Sequence, residues 1–421
     1  MPEDIRPIEV PEDQVEQFAL GAFFYDYPII STNREMSRGY LDGLEGMLQQ
    51  LGPQSDLAKA CKVVGFAAHG IKLRRPHLTK RAESFYQDLL GTLARGIDDP
   101  AFATSAESLM IAMLLGLYEI VMADENRPGN HQFHARGVAA ILQIENSPLD
   151  LFGAVHFIRS GHPVISNEAT RNCGIFSAAP HHEKGGQSLD DLLLAFGSVW
   201  RRANTLLANK SDVPDLYQLK QEAMALERDF EEWQRLRCPS FNPRIVGHVN
   251  PTRNGTRHNV GCWPGRVDAY FDLYVAGVWN TSRTARLLLI SLILKLSSVV
   301  HDAQCHAREH KEALILVGDI IASIPYHLTD ELQNFLDEGG KGGKSLEPGR
   351  PVGGLLLMHP IYVASTLLIV PQEMREYLKD CLSWIGINMG IGQASVFAKA
   401  PKIDKQYFAD GSLLVWAGML V

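Results

Sequence analysis

The chain has 421 residues, 46% of them hydrophobic and 21% charged, which suits a soluble globular protein with a large core. Its 48 acidic and 40 basic residues are mixed along the chain and leave a net charge of −8. That balance argues against a chain built mainly to hold nucleic acid, which needs a basic face.

The first residues, MPEDIRPIEVPEDQVEQF, are acidic and broken by prolines, so residues 1–20 read as irregular. They have no basic stretch followed by an apolar one, and so do not read as a secretory signal. Apolar residues at helical spacing predict helices over Asp56–Gly70 and Thr79–Ala94, the second with Ala82, Phe85, Tyr86, Leu89, Leu90 and Leu93 on one face. Thr104–Glu107 fits a capping box, and LMIAMLLGLYEIV after it is apolar all round, as a central helix would be. Asp124–Gly129 is a turn, with Asn130 placed to cap the next helix.

Further along, Leu216–Leu236 is amphipathic, with Leu219, Ala223, Leu226, Phe230 and Trp233 as its stripe. Helices are also predicted over Arg266–Val300, Ala307–Ser323 and Pro371–Ile387, the last with Leu378, Leu382 and Ile385 facing inward. Phe157–Gly186, Cys238–Gly265 and Glu338–Gly354 read as loops, the third as a mobile linker. The greasiest run, Leu287–Leu294, is too short to span a bilayer. Without a series of alternating segments, the expected fold is all-α: one large multi-helix domain over 21–421, intracellular, in nucleus or cytoplasm, with no membrane contact.

The six cysteines (Cys61, Cys173, Cys238, Cys262, Cys305 and Cys381) are too far apart for a zinc knuckle or redox motif. His131 and His134 share a helical face with Val138, Ile141 and Leu142, but the sequence has no HExxH, and no metal is expected. GGKGGKS at Gly339–Ser345 ends like a phosphate-binding loop. Its first glycine position holds Glu338 and no strand precedes it, so a flexible linker is the reading and no cofactor is expected. KLRRPHLTKR, Lys72–Arg81, reads either as a nuclear import signal or as a solvated face between helices.

Three blocks resemble the regulatory domain of fungal-specific transcription factors. The first runs from Phe23 to Gly137, with FFYDY, RGYLDGL, Leu117-Tyr118-Glu119 and His134-x-x-Gly137. The second is Tyr270–Leu294, with Trp279-Asn280 and Arg286-Leu287-Leu288, and the third joins Pro360–Ser365 to Ile385–Ser395. The resemblance implies an all-helical domain that binds a ligand, with His134, Tyr118, Glu119, Trp279 and Arg283 as ligand-binding candidates. Two departures stand out. The family's six-cysteine zinc cluster is missing, so no direct DNA binding is expected. His131 and His359 stand where the family tends to carry tryptophan, and each adds a group that titrates near neutral pH.

Two functions follow. One is a regulator-like protein without a DNA-binding module, which binds a small apolar metabolite, a protein partner or a second copy of itself. The alternative is a cofactor-free cyclase or isomerase of fungal secondary metabolism, with His131, His359 and Tyr362 as its catalytic acid, base or donor groups.

Overall fold

The computed structural model describes residues 12–103, 105–129, 131, 133–134, 137–138, 189–209, 212–250, 258–301, 306–339 and 346–400. Among them run helices α1 (Glu12–Asp26), α2 (Leu44–Leu51), α3 (Asp56–Lys72), α4 (Pro76–Gly96), α5 (Pro100–Ala103) and α6 (Ala106–Met122). Then come α7 (Leu189–Ala208) and α8 (Val213–Arg235), and a hairpin of β1 (Arg244–Val249) and β2 (Gly265–Ala269). The chain continues through α9 (Leu273–Val299), α10 (Ala307–Leu328), α11 (Leu332–Gly339), α12 (Pro351–Thr366), α13 (Gln372–Asn388) and α14 (Gly392–Lys399). The fold is all-α, as the periodicity predicts. No helix of the described residues is long and apolar enough to cross a membrane.

Two layers of packing organise the helices. In the first, α3 lies against α1, α4 and α6; in the second, α9 lies against α8, α10 and α12. α3 earns its place by composition: Ala58, Ala60, Ala67 and Ala68 are buried on it and let neighbours approach closely. Its N-cap is Ser55, whose side chain accepts from the Ala58 N–H at 3.2 Å. α9 is the central helix of the second layer, with most of its length buried from Leu273 to Ser297. The predicted stripe of α8 (Leu219, Ala223, Leu226, Phe230 and Trp233) is buried as expected.

Three predicted features differ. The helix expected from Arg266 begins at Leu273 instead, because Gly265–Ala269 is extended and pairs antiparallel with β1, Val249 opposite Gly265 and Arg244 opposite Ala269. Five residues, two of them charged, are too few to show a period, so strand and helix look alike there. The stop between them is Asp272, whose carboxylate accepts from the Val275 N–H at 2.8 Å. Secondly, Ser105 caps α6, accepting from the Ser108 N–H at 3.0 Å. Glu107 turns away to accept the backbone N–H of Leu57, which ties α6 to α3 instead of closing a capping box. Thirdly, residues 12–20 are already helical, because the α1 positions Ala19 and Phe23 find a buried face against α3. Thr104, Asn130, the loop at 157–186 and most of GGKGGKS lie outside the described residues.

Candidate functional site

Past the turn that follows α6, His131 and His134 come back to the layer of α4 and α6. Asp124 makes the turn: its carboxylate accepts the N–H groups of Asn126 and Arg127, both at 2.8 Å. Both histidines are buried, His131 at 2% exposure. Their partners come from two helices. Tyr86 of α4 donates its hydroxyl proton to Glu119 Oε1 of α6 at 2.6 Å. With that proton committed, the Tyr86 hydroxyl oxygen accepts from His134 Nε2–H at 3.0 Å, which fixes the His134 tautomer. Tyr86 also stacks on Tyr118 with ring centroids 4.4 Å apart.

The electrostatics follow from burial. Desolvation pushes the His131 pKa down to about 4, the Glu119 charge pulls it back up, and a proton on His134 would lower it further. His134 is lowered by the same burial and raised by Glu119. Tyr86 is raised by burial and by its bond to Glu119, so it stays a neutral donor. The cluster is therefore a carboxylate, a phenol and two neutral imidazoles held in a dry setting. It can orient hydrogen bonds firmly, and it resists taking up protons at neutral pH.

His359 and Tyr362 stand one turn apart on α12. The ring nitrogen His359 Nε2 has no surface open to solvent, and burial drives the pKa down to about 3. Tyr362 lies flat on Phe397 of α14, centroids 4.1 Å apart and planes within 9°. The charges acting on His131 are those of Glu119 and His134, whereas the His359 shift has burial as its cause.

Trp279 and Arg283 belong to a second polar group, built on α9. Arg283 is buried at 1% exposure and donates to the Tyr270 hydroxyl at 2.7 Å and to Asn280 Oδ1 at 2.9 Å. Its guanidinium lies over the Tyr270 and Trp279 rings at 5.8 and 5.5 Å, with Asp319 Oδ2 3.8 Å from Nε. Trp279 donates its indole N–H to the Phe241 carbonyl at 2.8 Å and packs beside Trp233.

Asn280 turns its amide to Ser323 Oγ at 2.9 Å and to His327 Nε2 at 3.2 Å. His327 then donates from Nδ1 to the Gly353 carbonyl at 3.2 Å. Gly353 is required there, because a Cβ would stand 1.8 Å from the His327 carbonyl oxygen. Burial first, and the Arg283 charge after it, lower His327 to about 3, against an opposing pull from its bond to Gly353. This group joins α9, α10 and the start of α12, and its chemistry is that of cohesion.

Sequence reasoning missed Tyr86, Tyr270, His327 and Asp319, the residues that connect the named candidates. The Tyr86 signal was present as a polar atom on an otherwise apolar helical face. Two surface clefts lie elsewhere. One runs between α7 and α8, lined by Arg201, Arg202, Thr205 and Gln218. The other has an apolar floor of Met224, Ile290 and Ile293 under Glu227, Arg308 and Glu312. Among the described residues, no group of three or more histidine, cysteine or acidic side chains is placed to hold a metal ion.

No family model matches the chain, and no solved structure matches it. A curated protein of Emericella nidulans named "Transcription factor dbaG" is 50% identical over 425 residues, covering 100% of this chain and 100% of that protein. Identity at that level along both full lengths means that the chain belongs to the protein family of transcription factor dbaG.

Proposed function

We propose that this chain is a transcription regulator that works through a small apolar metabolite or a protein partner, a second copy of itself included, and reaches DNA through another protein. The observation that supports it is the full-length identity to a protein named as a transcription factor. The net charge of −8 and the wide spacing of the cysteines support an indirect rather than a direct contact with DNA.

In this reading Glu119, His131 and His134 are the groups assigned to contact with the ligand, because they gather hydrogen-bonding capacity in a buried setting. Trp279 and Arg283 are assigned to holding α9 in place.

The test is deletion of the gene with transcript profiling, alongside a fluorescently tagged full-length chain followed in cells. A defined set of transcripts changes and the tagged chain concentrates in nuclei. Unchanged transcripts together with a tag excluded from nuclei would sink the reading.

A further inference from the structure

We propose that the turn from Lys72 to Lys80, between α3 and α4, is a docking surface for an acidic segment of a partner protein; the proposal rests on the reading of the chain as a regulator that acts through another protein. Lys72, Leu73, Arg74, Arg75, His77 and Lys80 are all exposed. Neighbouring cations are already committed: Lys59 to Asp88, Lys62 and Arg81 to Glu16. Among the described residues, no ion pair engages Lys72, Arg74, Arg75 or Lys80.

The turn overrides two local preferences at once. α3 closes with the Arg75 N–H bonded to the Gly70 carbonyl at 2.8 Å, and Arg74 takes the left-handed position at φ 53°. That position ordinarily takes glycine, since a Cβ there meets the neighbouring carbonyl. α4 then opens with Arg75 as an N-cap that makes no side-chain capping bond, and its first turn holds no acidic residue. His77 and Lys80 stand there instead, at the helix end where the backbone dipole disfavours positive charge. Lys72 alone suits its place, at the end of α3 where cations are favoured. A glycine and an acid would serve the fold better, so a positive charge kept against both preferences points to a contact outside the fold.

The partner's chemistry follows from what surrounds the charge. Leu73 is 54% exposed in the midst of the cations and needs an apolar cover that a phosphate backbone does not offer. The hydrogen-bonded turn holds the cations on a folded frame, so the fitting occupant is an acidic protein segment that carries an apolar side chain.

The test measures fluorescence anisotropy of a short labelled peptide of alternating glutamate and leucine, titrated with the full chain at low and moderate salt. Duplex DNA is titrated in parallel. The peptide binds, and binding weakens with salt. Arg75→Glu weakens it about tenfold with the helical circular dichroism unchanged, as loss of close charge pairing requires. Leu73→Ser also weakens it. Arg74→Gly separates function from fold, because it raises Tm by relieving the left-handed arginine and still weakens binding severalfold.

Peptide binding that is the same in parent, Arg75→Glu and Arg74→Gly overturns the proposal, and so does tighter binding of DNA than of peptide. In cells, Arg75→Glu reproduces the transcript changes of the deletion at an undiminished protein level. If the deletion changes transcripts and Arg75→Glu does not, the docking surface fails while the regulator reading stands. If the deletion itself changes nothing, the regulator reading fails, and the anisotropy still decides whether the surface binds acid.

Discussion

Burial disfavours the charged form of a histidine, and three lowered histidines set the expected response to acid: His131 and His327 are buried and His359 is half-buried. His327 and His359 are lowered to about 3 and His131 to about 4, with burial the first cause in each. In the unfolded chain the same side chains titrate near pH 6.5. Below that pH the unfolded state binds protons that the folded state refuses. The stability they lend is therefore complete above about pH 6.5 and is lost as the pH falls towards the folded values. His327 shows the physical reason: with Nδ1 donating to Gly353 and Nε2 accepting from Asn280, a second ring proton would face a donor. The urea midpoint is expected to fall steadily from pH 6.5 to pH 5, above most carboxylate titrations. His359→Phe, compared in the same buffers, is expected to flatten that fall. Parallel curves for the two proteins would show that His359 does not carry the lowered pKa that this fall requires.

Between elements, one tie is made by charges. Arg286 of α9 is buried, and its Nε and Nη2 donate to Glu227 Oε1 of α8 at 2.9 and 2.7 Å. Its Nη1 donates to Gln234 at 2.8 Å, and Glu312 of α10 stands 3.5 Å from Nη2. One guanidinium thus joins three helices. Removing it alone strands a buried carboxylate, so Arg286→Leu is expected to cost ~3–5 kcal/mol. Arg286→Leu with Glu227→Leu is expected to regain most of that, because the more deeply buried carboxylate goes with its partner and Glu312, at 25% exposure, is reached by water. Chemical denaturation of the two variants checks this, and equal losses in single and double variants would refute it.

The same junction shows what the sequence discloses. The apolar stripe of α8 is visible at period 3.6, and the observed helix Val213–Arg235 follows it closely. The partners of Arg283 and Arg286 are not visible, since Asp319, Glu227 and Glu312 come from other helices and chain separation says nothing of facing surfaces. Tyr86 is the sharpest case. It sits on an apolar face, yet its hydroxyl bridges Glu119 and His134, which lie 33 and 48 residues further along the chain. The β1–β2 hairpin escaped notice for a different reason: β1 is mostly exposed, so it lacks the alternation that marks a half-buried strand.

At the scale of the whole molecule, the larger apolar core of the described residues runs from Ala19 and Phe23 of α1 to Phe397 of α14, beside a smaller cluster of Tyr270, Val275, Ala276 and Trp279. A chain of this length is often divided into separately unfolding parts, so continuity has to be tested rather than assumed. The two layers meet along a seam where α14 packs on α6 and α13 touches α3. Close approach at that seam depends on Gly392, where a Cβ would lie 2.0 Å from the Ala123 carbonyl oxygen and 2.7 Å from that of Val121. The loop before α2 is tied across as well, with Arg350 Nη1 donating to the Pro28 carbonyl at 3.3 Å.

Because apolar burial continues through the seam, the parent protein is expected to unfold in one cooperative transition, with near- and far-ultraviolet circular dichroism falling together. Gly392→Val forces the two backbones apart without touching the interior of either layer. It is expected to lower the midpoint and to split the transition, with near-ultraviolet signal lost before helix content. If Gly392→Val unfolds in one step at the parent's midpoint, the seam contributes little and the two layers are held together elsewhere. If the parent itself unfolds in two steps, the layers are separate cooperative units, and the shared core is a contact between them rather than the source of their stability.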